Sequence, residues 1–325
     1  MIMRLKIITF FFLILSAFSC RKSNYIPPVY PVAPDLLIDW NVIATIPGET
    51  LSDIWFTSAT RGFTLGKNIY QTSDSGMSWQ AIPNTPGDSN FLNLFFVNAQ
   101  YGFAQGFSQL ATTNNGGNSW TVKRLPTASG FTISFASPLL GFYGDEGGAG
   151  LEKTTDGGNS WVTSFIDPHK PQDYYPYFLN VDTGFVATGS GIFAATSDGG
   201  ETWQIKNSSL PANTVSQTYN QLFFIDRNNG YYACPSGILK STDGGQTWKN
   251  LLLGAEFASI NVIRFVDTNT GYYKGLTNIY KSSDGGQTWN LNCQLGSDYF
   301  IGMYFLDAHT GWACTGKGRI LRIQQ

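Results

Sequence analysis

The chain has 325 residues, with 20 Lys and Arg against 22 Asp and Glu, and only 13% of its residues are charged. A net charge of −2 leaves no electrostatic footprint for a nucleic-acid backbone and sets that class of partner aside. Thirty-six glycines and 15% aromatics, without helix-favouring runs, suit short strands joined by tight turns rather than helices.

At the start of the chain, Arg4 and Lys6 precede an apolar run from Ile7 to Phe18 that is short for a bilayer span. Small residues Ser16, Ala17 and Ser19 then lead into Cys20. This resembles a bacterial lipoprotein signal peptide, residues 1–19, with Cys20 lipidated as the first mature residue. An ordinary secretory signal cut near the same place, with Cys20 a bystander, is the alternative. Loss of Arg4 and Lys6 leaves 18 basic against 22 acidic residues, a net −4. Residues 20–38 form a tether in which Pro27, Pro28, Pro31 and Pro34 favour an extended conformation. The expected location is the bacterial cell envelope, periplasmic or surface-exposed, with the membrane held through a lipid anchor.

From residue 39 onward the chain repeats. Six phrases of the form S/T-x-D-x-G-x-S/T-W occur: Thr72 to Trp79, Thr113 to Trp120, Thr154 to Trp161, Thr196 to Trp203, Ser241 to Trp248 and Ser282 to Trp289. Before each phrase, a Phe lies six residues ahead of a Gly that an aromatic follows. Seven such glycines, at 62, 102, 141, 184, 230, 271 and 311, are spaced by 40, 39, 43, 46, 41 and 40 residues. That period is one four-stranded propeller blade. In the sixth unit, strands are predicted at Asn261 to Val266, Gly271 to Lys274, Ile279 to Lys281 and Trp289 to Leu291. Seven glycine signatures against six tryptophan phrases leave the last unit one strand short. Trp40 has the register of the missing tryptophan, so Trp40 to Ile46 is predicted to join Phe305 to Ile323. The fold class is therefore all-β, a seven-bladed β-propeller over residues 39–325, closed by an N-terminal strand that removes the open edge.

The residues of the phrase suit a turn between the third and fourth strands. Asp74, Asp156, Asp198, Asp243 and Asp284 accept backbone N–H bonds, and Asn115 does so without charge. The glycines allow positive φ, and Trp79, Trp120, Trp161, Trp203, Trp248 and Trp289 bury aromatic surface. The phrase resembles the Asp-box, or BNR repeat, of sialidases, xyloglucan-active endoglucanases, sortilin-type receptors and photosystem II assembly-factor propellers. With the glycine signature and its period, it is most similar to the last group. That resemblance implies a structural box and a general role in binding proteins; the family's basic patch is not matched by a chain with seven mature arginines. No metal or cofactor is expected, because no second carboxylate follows at EF-hand spacing and two His residues make no zinc site. Cys234, Cys293 and Cys314 read as small buried apolar residues.

Function is expected opposite the boxes, on the face made by the loops between blades and between second and third strands. Gly141 to Trp161 spans 20 residues against 17 to 19 elsewhere, and Trp203 to Phe224 spans 21 against 15 to 17. Between these long stretches lie aromatic and polar side chains. Asp145, Glu146, His169, Lys170, Asp173, Tyr174 and Tyr175 are the candidate ligand-binding residues, the alternative being variable exposed loops. No catalytic residues are assigned: the nearest match to a sialidase arginine stretch is Tyr25-Ile26-Pro27, and no arginine triad assembles by position. The expectation is a non-enzymatic monomer that binds a protein or glycan partner on the loop face. An exported glycoside hydrolase using Asp145, Glu146 and Asp173 is the alternative. Arg264 stands where other units have Trp55, Phe95, Ser134, Tyr177, Phe223 and Tyr304, which suggests either the central channel or a buried ion pair.

Overall fold

Runs rich in Phe, Tyr, Ile and Val, each ended by Asp, Asn, Ser and Gly, pair antiparallel with the next run along the chain. The computed structural model describes residues 34–83, 91–125, 132–144, 150–165, 167, 173–210, 221–234, 237–253 and 262–323. Its strands form seven antiparallel sheets, and within each the order in space is the order in sequence, apart from strands that the N-terminal segment adds. The result is the expected seven-bladed β-propeller. Blade 1 runs Asp53–Phe56, Gly62–Leu65, Ile69–Thr72 and Gln80–Ala81. Blade 6 runs Val262–Phe265, Gly271–Lys274, Asn278–Ser282 and Asn290–Gln294, matching the predicted strands in order and place.

Closure occurs as the tryptophan count predicts. Trp40–Thr45 pairs with Arg319–Ile323 as the outer strand of blade 7, with Trp40 opposite Ile323 and Thr45 opposite Arg319. The Trp40 ring is 1% exposed and meets Phe305 edge-on at 5.9 Å, as Trp79 meets Phe56 at 6.1 Å. Just before it, Leu36–Leu37 pairs with Asn290–Gln294 and gives blade 6 a fifth strand. The end of the segment read as tether therefore runs on blade 6 before the chain crosses to blade 7. Asp35 begins this strand by accepting the Gly296 N–H at 2.9 Å and pairing with Arg319 at 2.6 Å. Arg319 also pairs with the buried Asp298 at 2.9 Å. The Arg319 guanidinium holds the Asp35 carboxyl below the ordinary carboxylate range.

The glycine signature has a packing cause. Each Phe folds back over the Gly six residues later, so that a Cβ at Gly62, Gly141 or Gly271 would lie 2.5 Å from the ring of Phe56, Phe135 or Phe265. The other face of that Phe stacks on the aromatic of the preceding blade. The pairs are Phe63 on Phe96, Phe103 on Phe135, Phe142 on Phe178, Phe185 on Phe224, Tyr231 on Phe265, Tyr272 on Phe305 and Trp312 on Phe56, with centroids 3.5 to 4.8 Å apart. Stacked pairs of this kind contribute about 0.5–1.5 kcal/mol each beyond their burial. The last pair joins blade 7 to blade 1, so side chains close the ring as well as the N-terminal strand.

Candidate functional site

Two faces emerge from the turns. Backbone N–H groups of Ser75, Gly116, Gly157, Gly199, Gly244 and Gly285, all in boxes, donate to Thr60, Gln100, Leu139, Asp182, Asn228 and Asn269 in the turns between first and second strands. Those two sets of turns therefore share one face. The second-to-third-strand turns and the blade connectors lie on the opposite, loop face.

Within each box the acidic side chain is fully engaged. Asp74 accepts the Thr72 hydroxyl at 2.7 Å, the Ser78 N–H at 2.9 Å and the Ser78 hydroxyl at 2.6 Å. Asp156, Asp198, Asp243 and Asp284 repeat this with the Ser or Thr two residues before and four after. Asn115 keeps the same acceptor and donates its own amide N–H to Ser119 at 2.8 Å. Hydroxyl and N–H donors from the residue four on hold Asp74, Asp198 and Asp284 down at about 2 and lower Asp156 further. Trp79 and Trp248 donate their indole N–H to the box glycine carbonyls of Gly76 and Gly245. Trp120, Trp161, Trp203 and Trp289 meet inter-blade phenylalanines edge-on. Cations of one blade also reach the box of the next: Arg61 to Gly116 O at 2.6 Å, Lys123 to Gly157 O and Lys240 to Gly285 O at 3.0 Å. Arg61 thereby ties blade 1 to blade 2.

On the loop face the candidates separate. Asp145, Glu146, His169 and Lys170 lie outside the described residues. Asp173 is half-buried where the connector enters blade 4; its Oδ1 is buried with no hydrogen-bond partner among the described residues, and burial raises its carboxyl above the ordinary range. Tyr174 and Tyr175 are not surface platforms: they are 2% and 4% exposed. Tyr174 packs with Phe142, Leu151 and Val186, while Tyr175 packs with Phe185, Leu222 and Tyr232. An inner strand wedged between two blades is buried on both sides, so adjacent rings enter opposite cores. Asp167 is fully buried and accepts the hydroxyls of Thr188 and Ser190 at 2.6 Å, which pins the connector to blade 4. Its sequence signal is slight, since nothing in Asp167-Pro168 distinguishes a pin from a solvated turn.

Arg264 enters the channel and, among the described residues, makes no ion pair. It donates to the Ile263 carbonyl at 2.9 Å and lies 6.0 Å over the Phe223 ring of blade 5. Burial lowers its pKa, opposed by Asp53 of blade 1, Tyr177 of blade 4 and Tyr304 of blade 7. Groups from that many blades surround one side chain only at the axis. Deeper in, Asp53 accepts the N–H groups of Leu94 at 2.8 Å and Ile54 at 2.9 Å, and burial pushes it up to about 6. Lys274 is 2% exposed, donates to Phe300 O at 3.1 Å and is pushed down to about 8 by burial. The three described thiols are free and buried, as read, and burial pushes Cys293 up to about 12. Among the described residues no group of three or more His, Cys, Asp and Glu is placed to hold a metal.

Comparisons with known proteins agree with the repeat pattern. Residues 173–294, from Asp173 through blade 6, match the family described as photosynthesis system II assembly factor YCF48. A curated relative, the photosystem II assembly lipoprotein Ycf48 of a Synechococcus species, is 31% identical over 137 residues. The match spans 40% of this chain and 40% of the relative's length. Among solved structures, YCF48 bound to D1 peptide has a TM-score of 0.66 at 19% identity and covers 90% of this chain and 99% of that one. The GH74 xyloglucanase of Xanthomonas campestris has a TM-score of 0.63 at 13% identity, covering 87% of this chain and 53% of that one. At such identities the structural likenesses speak for the fold alone. With the Asp-box phrases and the closed seven-bladed ring, this chain is an Asp-box β-propeller that over blades 4 to 6 is similar to the photosystem II assembly factors.

Proposed function

We propose that this protein is a non-enzymatic, lipid-anchored scaffold of the bacterial cell envelope that binds a protein or glycan partner through its loop face. The observation that carries the reading is the family match over residues 173–294, which includes the Asp173 connector, to proteins of which one is described as bound to a peptide. The curated relative is named a lipoprotein, in line with Cys20 as an anchor. Engagement of the box aspartates in turn hydrogen bonds further supports a partner surface away from the boxes. The photosynthetic task of the relatives is not carried over.

Photo-crosslinking in the native membrane tests the face. A crosslinking residue at Leu276, 58% exposed in a loop-face turn of blade 6, is expected to recover a discrete partner. The same residue at Met77, 66% exposed in the box of blade 1, is expected to recover none. Equal recovery from both positions refutes the loop-face assignment. Labelling with an alkyne fatty acid tests the anchor: the label is expected to disappear in Cys20→Ala, and its persistence there excludes that residue.

A second reading, an exported glycoside hydrolase, draws on the raised carboxyl of Asp173, a property suited to a general acid. Purified protein is expected to leave a panel of fluorogenic glycosides intact. Reproducible hydrolysis that vanishes when Asp145, Glu146 and Asp173 are replaced together by Asn, Gln and Asn makes it an enzyme instead.

A further inference from the structure

Seven residues occupy one layer of the inner strands, just before the signature phenylalanines: Trp55, Phe95, Ser134, Tyr177, Phe223, Arg264 and Tyr304. All seven are partly exposed, although the signature phenylalanines beside them are buried in five of the seven blades. The layer therefore lines the channel that runs through the ring. Trp55 and Tyr304 lie 4.6 Å apart across the junction of blades 1 and 7, and Tyr177 and Phe223 5.9 Å apart across that of blades 4 and 5. Arg264 is the one cation in this layer. Its guanidinium carries five N–H donors in a planar fork, and among the described residues a single one is used, on its neighbour's carbonyl.

Charge bookkeeping along the channel leaves a surplus. Among the described residues, Arg264 and Lys274 both interact electrostatically with one carboxylate, Asp53, whose two oxygens already accept the N–H groups of Ile54 and Leu94. Neither cation comes within ion-pair distance of it, and Lys274 is turned to the Phe300 carbonyl. Tyr177 commits its hydroxyl to Phe224 O at 3.0 Å. Tyr304, which interacts electrostatically with Arg264, has no hydrogen-bond acceptor for its phenol among the described residues. A planar cationic fork and a phenol thus look into a channel walled by Trp55 and Phe223.

We propose that the channel is a binding site for a monoanionic carboxylate with a flat apolar body, its carboxylate on the Arg264 fork and the Tyr304 phenol and its body against Trp55 and Phe223. Arginine's fork matches carboxylate geometry in a bidentate way. One surplus positive charge suits a monoanion, and aromatic walls suit a flat, weakly hydrated body rather than a phosphate. This site lies in the ring's interior, apart from the loop-face surface, and stands or falls independently of it.

Benzoate is the probe, benzyl alcohol its neutral isostere and inorganic phosphate the competing anion chemistry. Melting temperature and the Arg264 Nε–H resonance, assigned by its loss in Arg264→Lys, are followed in wild type, Arg264→Lys and Arg264→Gln. Benzoate is expected to raise the melting temperature saturably, to shift that resonance and to bind at least about tenfold more weakly to both variants, as loss of a charge-assisted bidentate contact implies. Benzyl alcohol and phosphate are expected to do neither. Equal effects of benzoate and benzyl alcohol, a benzoate affinity unchanged in Arg264→Lys, or a saturable response to phosphate alone each overturn the proposal. Arg264→Lys keeps the charge in place, so a failure of Arg264→Gln to fold leaves the test intact.

Discussion

On the box face, Asp198 is exposed and Asp74, Asp156 and Asp284 are partly exposed; all four receive hydroxyl and N–H donors and have their carboxyls held low. At the loop-face end of blade 4, Asp173 is half-buried, keeps an oxygen without a partner among the described residues and has its carboxyl held high. The same residue type thus closes a repeated turn on one side of the ring and stands as a stability cost on the other. A group that costs stability and sits where a connector enters the ring is one that a partner can satisfy. A place at the surface does not by itself mark function here, since the box aspartates are the structural ones.

This contrast exists only while the ring is closed, so the largest expected effect is on closure. Deleting residues 36 to 46 removes both added strands and the Trp40 ring. Differential scanning calorimetry is expected to show the melting temperature falling by well over ten degrees or the cooperative transition disappearing. A loss no greater than that from deleting residues 21–34 refutes closure by this segment. Next comes the junction between blades. Gly271→Ala puts a Cβ 2.5 Å from the Phe265 ring and displaces it from Tyr231, and urea unfolding is expected to show a loss of about 1–3 kcal/mol.

Aspartate substitutions on the two faces are then expected to differ in sign. Asp243→Ala strips the box turn of its acceptor and should lower the melting temperature by about 2–4 °C, by analogy with the loss of a helix cap. Asp243→Asn should lower it less, because Asn115 does this task natively. Asp173→Asn is expected to raise it at pH 7 by about 1–3 °C. The sign follows from the raised carboxyl: the ionised form is the costly one, its cost absent below the ordinary aspartate range and present above the raised value. The gain should therefore vanish on acidification. A loss of stability in Asp173→Asn at pH 7 breaks the comparison.

The smallest effect is the acid limb of the box face. Carboxyls lowered in the fold contribute stability above their unfolded pKa and lose it as pH falls toward about 2, where Asp74, Asp198 and Asp284 protonate. Melting curves between pH 5 and pH 2 are expected to decline through this window. The decline should be shallower in a variant with Asp74, Asp198 and Asp284 all changed to Asn, and an unchanged slope refutes the assignment.

Blade number, the box turns and the partner of Trp40 were legible because each repeat spends the same residues at the same spacing. Local turn chemistry needs no tertiary context, and counting signatures exposes a missing strand. Tyr174 and Tyr175 misled because composition reports that a segment is aromatic but not that both sides of an inner strand face a neighbouring blade. Arg264 was visibly out of pattern, yet channel and ion pair differ only in what the other blades bring to the axis. Leu36 and Leu37 carry too short a pattern to be told from a tether.

By itself the sequence determined the seven-fold ring, the structural role of the boxes and the closing strand, because turn geometry and hydrophobic period are properties of neighbouring residues. Only the tertiary structure decided why Gly follows Phe by six residues, that Asp173 Oδ1 has no partner among the described residues, that Arg264 meets groups of four other blades at the axis and that Asp35 is held by Arg319. Each of these depends on burial and on contacts between residues far apart in the chain, which spacing along it does not encode.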